Sequence, residues 1–514
     1  MIQRSLGIFI GIAMLAGCGG GGGAGGGAVP PTSSSSGPVP TTSGPLPVAP
    51  VVHAVHGVAT VSLTSQINAV TGFPEFVYQG QSNTMPTIDV SPGDTIVVDV
   101  ANNLPAAAGR QSDMNLHFHG LTVSPNAPAD DVITMLAMPG GTLHYVVPIP
   151  KNQEPGLYWY HPHVFPETDY QVGLAGMSGA IVIDGLEKHL PALASMTQHV
   201  IVVRDQDISV AAQNVRRVKP ADEDSNTHPC GPDPGYQPTI NNAIVPTISI
   251  QPGERQFFRV INATGHKNLD LAVDGGTMEL VAVDGYALDV YPGTPATQIK
   301  NNIVVPPSAR AEFVVTGPAS GSTEFRTLCY NSGPHGDPDP NNVLADLRSS
   351  GAKSSVRVAR AKPLSVGAPL PQNSFSGPRQ APVAHRTVVL NEDDNGMYIN
   401  GKMFNMNDPP MFTVRVGTTE LWDVVNITEE VHDFHIHQVH FLVLQINGAT
   451  VQHPIWQDSA VVPHRIPGVN GSWKPGYLRM LMDFRDPVIK GEFMFHCHIL
   501  DHEDSGMMAK ILAV

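Results

Sequence analysis

The sequence is short of basic residues and of long apolar runs, and each shortage excludes a kind of protein. Lys and Arg total 29 against 45 Asp and Glu, and the formal net charge of −16 excludes the basic surface that nucleic-acid-binding domains present. After the N-terminus no apolar run reaches the roughly 18 residues of a membrane-spanning helix, so we expect a soluble body. No long segment has helical periodicity. Gly (50) and Pro (47) are abundant instead, which favours many short strands joined by turns.

The first 51 residues differ from the rest of the chain. Residues 1–17 combine Arg4 with a short apolar stretch and small residues, which predicts a secretory signal rather than a membrane span. The tetrapeptide LAGC resembles a bacterial lipobox, which implies a lipid on Cys18; the alternative is a plain signal with an incidental cysteine. Residues 18–51 are rich in Gly, Ser and Pro and predict a flexible tether. We therefore expect export to the periplasm or cell surface, with a membrane contacted only through the lipid.

Cysteine is scarce, and its four positions have different predicted fates. Cys18 is assigned to the lipid anchor. Cys230 and Cys329 can pair as a disulfide in an exported protein, although they are distant in sequence. Cys497 is then left over, and an unpaired cysteine in an exported protein needs a chemical reason.

Three segments of the chain share one plan. Each opens with an alternating apolar strand, a turn centred on glycine and a second alternating strand, as in TIDVSPGDTIVVDV, TISIQPGERQFFRV and MFTVRVGTTELWDVV. Such self-similarity indicates duplicated domains. We predict an all-β protein of three β-sandwich domains at 52–187, 195–362 and 383–514. The first and third domains also share a histidine-rich C-terminal segment that the second domain lacks. The second domain is therefore expected to be a spacer or a wall of the substrate site.

Histidine pairs are more frequent than random placement allows. The chain has 22 histidines, which would give about one His-x-His pair by chance, yet it contains four. One such pair on a strand is commonly an accident of packing, but four pairs split evenly between two similar domains indicate metal ligands. The pairs are His117/His119, His161/His163, His435/His437 and His496/His498.

Strand geometry divides the C-terminal HCH motif between two sites. Side chains two positions apart share a face of a strand, and the side chain between them points to the other face. His496 and His498 are therefore expected on one face and Cys497 on the other. In HDFHIH an odd spacing separates His432 from His435, so His432 can join Cys497.

Two metal sites follow from this division. The first comprises His432, Cys497 and His502, with Met507 as a candidate weak axial ligand, a set typical of blue-copper electron-transfer centres. The second comprises the eight paired histidines, which are too many for one ion and indicate a multinuclear copper cluster. Nitrogen ligation favours copper over Ca²⁺ or Mg²⁺, which prefer oxygen ligands.

The motifs HFHG, HPH, HDFHIH and HCHILDHEDSGMM together resemble those of the multicopper oxidases, in particular three-domain, laccase-like bacterial enzymes. The likeness extends from about residue 52 to the end of the chain. It implies cupredoxin-like Greek-key domains and four copper ions, one of type 1, one of type 2 and two of type 3. By this resemblance, type 1 copper would take His432, Cys497, His502 and axial Met507. Type 2 copper would take His117 and His435. The type 3 pair would take His119, His161, His163, His437, His496 and His498.

The resemblance also implies the reaction, a copper-dependent oxidation with dioxygen as the acceptor. A reducing substrate would give single electrons to type 1 copper, and Cys497 would pass them through His496 and His498 to the three-copper cluster. Dioxygen would there take four electrons and four protons and become two waters.

Two carboxylic acids are candidates for carrying those protons. Glu503 directly follows a predicted type 1 ligand and fits one acidic position beside the cluster. Asp130 lies eleven residues past His119 and fits the other position, with Asp131 as its competitor. For each, the alternative is a solvated loop carboxylate.

Two positions depart from the family pattern. Phe118 stands where many relatives carry Trp, and Asp433 stands where many carry Pro. Neither position supplies a ligand, so we expect little effect on metal binding. His440 lies beyond the paired histidines and is predicted to be a core residue or a support for a ligand.

Phenols or aromatic amines are the leading expectation for the reducing substrate. The alternative is a metallo-oxidase of Cu(I), Fe(II) or Mn(II) in metal homeostasis. Thioether sulfur suits Cu(I), but the 18 methionines are scattered, with loose clusters at 403–411 and 478–484. A copper-free protein on the same fold would lack ligands, whereas all twelve positions are filled here; a copper nitrite reductase would be a shorter, two-domain chain. We expect a monomer.

Overall fold

The computed structural model describes residues 41–42, 44–106, 112–205, 230–231, 238–349, 364–370 and 381–514. The predicted signal peptide, Cys18 and most of the predicted tether lie outside these residues. Three lists in chain order give the strands. The first part contains β1 (Thr41–Thr42), β2 (Val51–His53), β3 (Val58–Ile67), β4 (Pro74–Tyr78), β5 (Thr87–Val90), β6 (Thr95–Asn102), β7 (His117–His119), β8 (Thr142–Pro148), β9 (Gly156–His161) and β10 (Gly179–Ile183).

The middle part contains β11 (Gln198–Arg204), β12 (Thr239–Ile240), β13 (Ala243–Ile244), β14 (Thr247–Ser249), β15 (Arg255–Asn262), β16 (Leu269–Val273), β17 (Met278–Val283), β18 (Tyr286–Ala287), β19 (Gln298–Lys300), β20 (Asn302–Val305), β21 (Arg310–Thr316), β22 (Gly321–Leu328) and β23 (Asn342–Ser349). The last part contains β24 (His385–Asp393), β25 (Gly396–Ile399), β26 (Phe412–Val414), β27 (Thr418–Asn426), β28 (His432–Ile436), β29 (Phe441–Ile446), β30 (Ala449–Thr450), β31 (Trp456–Gln457), β32 (Ser459–Val462), β33 (Ile466–Pro467), β34 (Trp473–Lys474), β35 (Gly476–Phe484), β36 (Gly491–Cys497) and β37 (Met508–Ala513).

Helical segments in the described residues are short. They are α1 (Leu186–His189), α2 (Leu500–Asp504), the 3₁₀ turns Pro191–Ser195, Leu288–Val290, Val469–Gly471 and Pro487–Ile489, and a π-helical turn at Asp169–Leu174. None of these helices has the length and apolar content needed to cross a membrane.

Apart from a small two-stranded sheet of β33 and β34, the strands form three pairs of sheets, each with a core of its own. The first pair has the strand orders β4-β3-β6-β8 and β2-β5-β10-β9-β7. The second pair has β1-β13-β12-β11-β15-β21-β17-β18, with β19 beside β17, and β14-β23-β22-β16-β20. The third pair has β25-β24-β27-β35-β29-β30, with β31 beside β29, and β26-β37-β36-β28-β32. The predicted all-β class with cupredoxin-like sandwiches is confirmed, while the domain boundaries stay predictions.

Alternation along the strands builds these cores. In β3, for example, Ala59, Val61 and Leu63 are buried while the residues between them face outwards or are less buried, as the two-residue period of a strand requires. The buried side chains collect into one cluster for each pair of sheets. Each pair of sheets therefore has an apolar interior on which the polar sites can be built.

The C-terminal end of the predicted tether is ordered against the second pair of sheets. β1 pairs in parallel with β13, and the N–H of Leu46 donates to the carbonyl of Thr247 at 3.1 Å. Backbone pairing therefore holds this last stretch, while the bounds and the flexibility of the tether stay predictions. Cys230 and Cys329 form the disulfide that was a candidate pairing, and Cys497 is a buried free thiol.

Corresponding strands of the first and third pairs of sheets carry the histidine pairs. β7 lies beside β9 with His117 opposite His161. β28 lies beside β36 with His435 opposite His496. Because each pair of neighbouring strands brings two histidine motifs into register, four motifs from distant parts of the sequence are gathered on two sheets.

Candidate metal centre

Cys497 and two histidines form a compact buried group in the third pair of sheets. The sulfur of Cys497 lies 3.8 Å from Nδ1 of His432 and 3.7 Å from Nδ1 of His502. The two Nδ1 atoms lie 3.0 Å apart. Neighbouring strands β28 and β36 supply His432 and Cys497, and α2 supplies His502. One thiol and two imidazoles that converge in this way could hold a metal ion, and they are the donor types that blue-copper centres use.

The outer ring nitrogens of both histidines are held by oxygen atoms. Oγ1 of Thr428 lies 3.0 Å from Nε2 of His432, and Oε1 of Glu430 lies 3.3 Å from Nε2 of His502. Such contacts fix the ring orientations and leave both Nδ1 atoms to face a metal. Burial raises the pKa of the Cys497 thiol. A metal ion would favour the thiolate form that the apolar surroundings oppose.

Backbone groups of two further residues contact Cys497. The N–H of Asp433 donates to the sulfur of Cys497 at 3.3 Å. Met507 is fully buried in the same core, and its carbonyl accepts a hydrogen bond from the N–H of Cys497 at 3.0 Å. Asp433 therefore contacts the thiol through its backbone, although its side chain is not a ligand.

The eight paired histidines meet in a second buried group, and each is at most 3% exposed. Their neighbouring ring centroids lie between 3.8 and 6.1 Å apart. Buried polar atoms are rarely left without a partner, so the unpaired ring nitrogens fit metal ions held between them. Within these eight described histidines, the ring nitrogens without a hydrogen-bond partner are Nε2 of His117, Nδ1 of His119, Nε2 of His161, Nε2 of His435, Nδ1 of His437 and both nitrogens of His498.

Six of the eight histidines divide into two groups of three. The first group is His163, His437 and His496. In this group, Nε2 of His496 lies 3.3 Å from Nε2 of His163 and 3.2 Å from Nε2 of His437. The second group is His119, His161 and His498. Its ring centroids lie 5.3 to 5.7 Å apart. Each group has the three imidazoles that one metal ion of a binuclear pair would need.

The remaining two histidines lie beside these groups. The ring of His117 stacks on His437 with centroids 3.8 Å apart, and the ring of His435 stacks on His119 at 4.0 Å. Ring nitrogens of His117, His435 and His437 lie within 4.8 Å of one another. All eight predicted histidines are therefore within reach of one multinuclear cluster.

Burial prepares the imidazoles for metal binding. It is the main cause that lowers the pKa of eight histidines in the two sites, because the charged form is disfavoured away from water. A neutral imidazole is the form that binds metal. These residues are His117, His119, His161, His163, His432, His435, His437 and His498.

Glu503 lies against the cluster. Its Oε2 atom is 3.0 Å from Nδ1 of His496, and its Oε1 atom is 3.6 Å from Nδ1 of His163. Oγ1 of Thr168 donates to Oε1 at 2.9 Å. Burial alone would raise the pKa of Glu503, but His163 and His496 hold that pKa below its usual range. The carboxylate is thus buried and in contact with two predicted ligands.

Asp130, and not Asp131, contacts a predicted ligand. The carboxylate of Asp130 lies 3.0 Å from Nδ1 of His117 and accepts a hydrogen bond from the N–H of Phe118 at 2.8 Å. Burial raises its pKa to about 7. Asp131 instead accepts hydrogen bonds from the backbone of Ile133 and Thr134. Asp131 therefore stabilises a turn, whereas Asp130 is the acid placed against a predicted ligand.

Asp458 lies beneath the cluster and was not singled out from the sequence. Its carboxylate is 3.3 Å from Nε2 of His119, 3.6 Å from Nδ1 of His435 and 3.2 Å from Nε2 of His440. His440 is therefore buried against an acid that contacts two ligands, as a supporting residue would be. No spacing in the sequence relates Asp458 to the histidine motifs, because it lies outside them, between β31 and β32.

Arg310 of the second pair of sheets holds Asp458 in place. Its guanidinium donates to both carboxylate oxygens, at 2.8 and 2.7 Å, and both side chains are fully buried. Gly120, with φ +82°, passes so close that a Cβ there would collide with Arg310 and lie 2.7 Å from Oδ2 of Asp458. The final glycine of HFHG therefore makes room for an ion pair, and the middle sheets contribute more than a wall or spacer.

Comparison with known proteins agrees with this arrangement. Three family models described as Multicopper oxidase match residues 66–188, 159–352 and 378–514. Multicopper oxidase mco of Staphylococcus aureus is 25% identical over 463 residues, covering 87% of each chain. The laccase of Bacillus subtilis is 24% identical over 471 residues, covering 82% of this chain and 87% of the laccase.

A solved structure shares the fold. It is described as the multicopper oxidase from Campylobacter jejuni, a metallo-oxidase, and it superposes with a TM-score of 0.68 at 22% identity, covering 94% of this chain and 97% of that one. The donor set of a blue-copper centre, the adjoining eight-histidine group and the three family matches agree. The chain belongs to the multicopper oxidases, which are copper-dependent oxidoreductases that use dioxygen.

Proposed function

We propose that the protein is a laccase-like enzyme that couples one-electron oxidation of phenols or aromatic amines to the four-electron reduction of dioxygen to water. Four copper ions would supply the redox chemistry, one of type 1, one of type 2 and a type 3 pair. The observation that carries the proposal is the tripeptide His496-Cys497-His498, whose thiol belongs to one buried donor set and whose imidazoles belong to the other.

The first donor set is suited to accepting electrons. We assign His432, Cys497 and His502 to type 1 copper, with Met507 as the axial ligand. His502 is 5% exposed, the largest exposed fraction among the predicted ligands, and the residue before it, Asp501, is exposed. The His502 ring therefore lies near the surface, where an electron donor can approach it.

The second donor set is suited to dioxygen. His117 and His435 are assigned to type 2 copper. The three-imidazole groups described above are assigned to the type 3 pair, with His163, His437 and His496 on one ion and His119, His161 and His498 on the other. Neutral nitrogen ligands arranged around one cavity let several copper ions act on one dioxygen.

Glu503 and Asp130 are assigned to proton supply. Each touches a predicted ligand and so lies close to the site where oxygen atoms take up protons. Thr168 links Glu503 to the neighbouring turn at Asp169–Leu174. A buried acid beside the reacting centre can donate a proton directly or through one water.

Glu430 bears on the choice of reducing substrate. Its carboxylate contacts the outer nitrogen of His502, the ligand nearest the surface, at 3.3 Å. A phenol or an aromatic amine loses a proton when it loses an electron, and a carboxylate at this position can accept that proton. The laccases among the relatives agree with an organic substrate.

Oxidation of Cu(I), Fe(II) or Mn(II) is the second candidate function. Glu392 lies beside Glu430, and two neighbouring carboxylates favour a bound cation over a neutral phenol. The solved structure from Campylobacter jejuni is described as a metallo-oxidase. Glu430 would then bind the substrate ion directly and connect it to His502.

Steady-state oxygen consumption distinguishes the two candidates. The copper-loaded protein is given a phenol, Cu(I) and Fe(II) side by side, and the Glu430→Gln variant is measured with each. For a phenol oxidase we expect the highest kcat/KM with the phenol. The loss of kcat/KM in Glu430→Gln should then be smaller for phenols of lower pKa, which need less help to lose their proton. A metallo-oxidase would instead show its largest kcat/KM with a metal ion and a sharply raised KM in the variant.

Copper content tests the shared part of both candidates. Close to four copper ions per chain, with one blue centre, is expected. A protein that takes up far fewer ions after loading would contradict the assignment.

We also propose that the chain is exported and held at a membrane by a lipid on Cys18, as a monomer. The support is the signal-like segment 1–17 and the LAGC tetrapeptide. Fractionation of cells that express the full chain or its Cys18→Ala variant tests the anchor. The variant is expected in the soluble exported fraction, and a wild-type chain found there too would contradict the proposal.

A further inference from the structure

Gln438 has an unfavourable backbone conformation next to the cluster. It directly follows His437 and has a φ of +59°, a region that side chains with a Cβ rarely adopt. The N–H of Val439 donates to the carbonyl of His437 at 2.7 Å, which closes a tight turn at the end of β28. A glycine would adopt this conformation without strain, so the glutamine side chain needs a reason to be there.

The Gln438 side chain spans two pairs of sheets. It is 2% exposed, and its Nε2 atom donates to Oδ2 of Asp130 at 2.5 Å. The other carboxylate oxygen of Asp130, Oδ1, accepts the backbone N–H of Phe118. The amide oxygen of Gln438 has no hydrogen-bond partner among the described residues. The side chain is therefore placed for its N–H and not for its carbonyl.

The contacts of Asp130 lead from this amide to a predicted type 2 ligand. Oδ1 of Asp130 accepts the N–H of Phe118 at 2.8 Å and lies 3.1 Å from Nδ1 of His117. The ring of His117 stacks in turn on His437, the residue before Gln438, with an angle of 12° between the rings. The ring of His117 is thus held from two sides by the same left-handed turn.

We propose that Gln438 is a positioning residue for the type 2 site. Its amide fixes the carboxylate of Asp130, which orients the ring of His117 so that Nε2 faces the metal. The strained turn is kept because it places His437 and this amide together. The inference rests on the proposed copper assignment, and it concerns a residue that no metal would touch.

Two substitutions separate the amide from the backbone. Gln438→Met keeps the side-chain length and the strained φ but removes the N–H donor. Gln438→Gly removes the donor and also relieves the strain. Asn470→Gly is the matched control, because Asn470 is an exposed residue with a similar φ of +58° that lies outside both sites.

The full chain is loaded with copper, and three properties are measured. They are the electron paramagnetic resonance signal of type 2 copper, the rate of copper loss to EDTA, and the blue absorption. In Gln438→Met and Gln438→Gly we expect an altered type 2 signal and copper loss about tenfold faster, at the lower end of the effects seen when supports of metal ligands are removed. Blue absorption should stay unchanged, and Asn470→Gly should match the wild type throughout.

The thermal midpoint of the metal-free protein supplies a readout independent of copper. Gln438→Gly is expected to melt at a higher temperature than Gln438→Met, because only glycine relieves the left-handed turn. A purely structural glutamine would change this midpoint and leave the type 2 signal alone.

The possible results distinguish failure of the inference about Gln438 from failure of the proposed function. Unchanged type 2 signals and loss rates in both variants would overturn the inference and leave the proposed function standing. A defect in Gln438→Met but not in Gln438→Gly would overturn it as well, since side-chain bulk and not the missing N–H would be the cause. A wild-type chain without a type 2 signal would overturn the proposed function, and the inference with it.

Discussion

Replacing Arg310 by methionine tests how strongly the ion pair beneath the histidine cluster stabilises the fold. The two side chains are fully buried, and the guanidinium makes two hydrogen bonds to Asp458 and one to the carbonyl of Leu157 at 3.1 Å. Arg310→Met would leave a buried carboxylate beside Asp284 without its cation. Removing one partner of a buried pair costs about 3–5 kcal/mol, so we expect the free energy of unfolding at pH 7 to fall by about that amount.

The loss should diminish at low pH. Burial would raise the pKa of Asp458, but Arg310 holds that pKa well below the usual value. The wild-type pair therefore stabilises the fold above the unfolded pKa of aspartate, about 3.9, and this contribution disappears as pH falls through the lower folded pKa. In the variant Asp458 can take up a proton at a higher pH, so the difference in stability should shrink between pH 7 and about pH 4.5.

Denaturant unfolding of the metal-free protein, followed by circular dichroism, is the assay. The double variant Arg310→Met/Asp458→Asn should recover a large part of the loss, because it removes the charge of Asp458 together with its cation. Asp284, which lies 3.5 Å from Arg310, would keep the hydrogen bonds that it accepts from backbone N–H groups. Arg479→Met is the matched control, since Arg479 pairs with Asp423 at 2.8 Å but is one-third exposed, and it should cost about 0–1 kcal/mol. A loss below about 1 kcal/mol for Arg310→Met, or strict additivity in the double variant, would refute the reasoning.

Three further substitutions have expected outcomes. Cys497→Ser should abolish the blue colour and stop turnover, because a hydroxyl is a poor substitute for the thiolate; a variant that stayed blue would contradict the ligand assignment. Asp433→Pro should lower the reduction potential of the blue centre and shift its absorption, because it removes the N–H that donates to the Cys497 sulfur. An unchanged potential in a redox titration would show that this hydrogen bond does not influence the potential. Gly120→Ala should weaken copper retention, since a Cβ would collide with Arg310 and approach Asp458; full retention of copper on dialysis against EDTA would show that the pair can move aside.

The local pattern of the sequence was enough to predict which histidines and which cysteine converge. A strand repeats every two residues, so HCH alone separates Cys497 from His496 and His498, and an odd spacing separates His432 from His435. The structure brings together each of the twelve predicted positions, apart from the Met507 side chain, whose place beside the sulfur stays a proposal. Residues that are adjacent in the chain point to opposite faces in any fold that places them on a strand. A short stretch of sequence was therefore enough to assign its side chains to different faces.

The residues that contact and orient the predicted ligands could not be predicted from the local sequence in the same way. Asp458, Arg310 and Gln438 act on histidines from other strands or other pairs of sheets, at separations such as the 308 residues between Gln438 and Asp130. The choice of Asp130 over Asp131 depended on which carboxylate faces His117, because the two are adjacent in sequence and alike in chemistry.

The sequence by itself therefore determined the all-β class and indicated which histidines and which cysteine converge in two buried groups, because strand periodicity and ligand chemistry are local. Only the tertiary structure decided which carboxylates touch the imidazoles and which glycine must stay small. It also decided how the middle sheets take part, since their Arg310 reaches Asp458 across an interface. Those features depend on contacts between segments far apart in the chain, and packing alone brings such segments together.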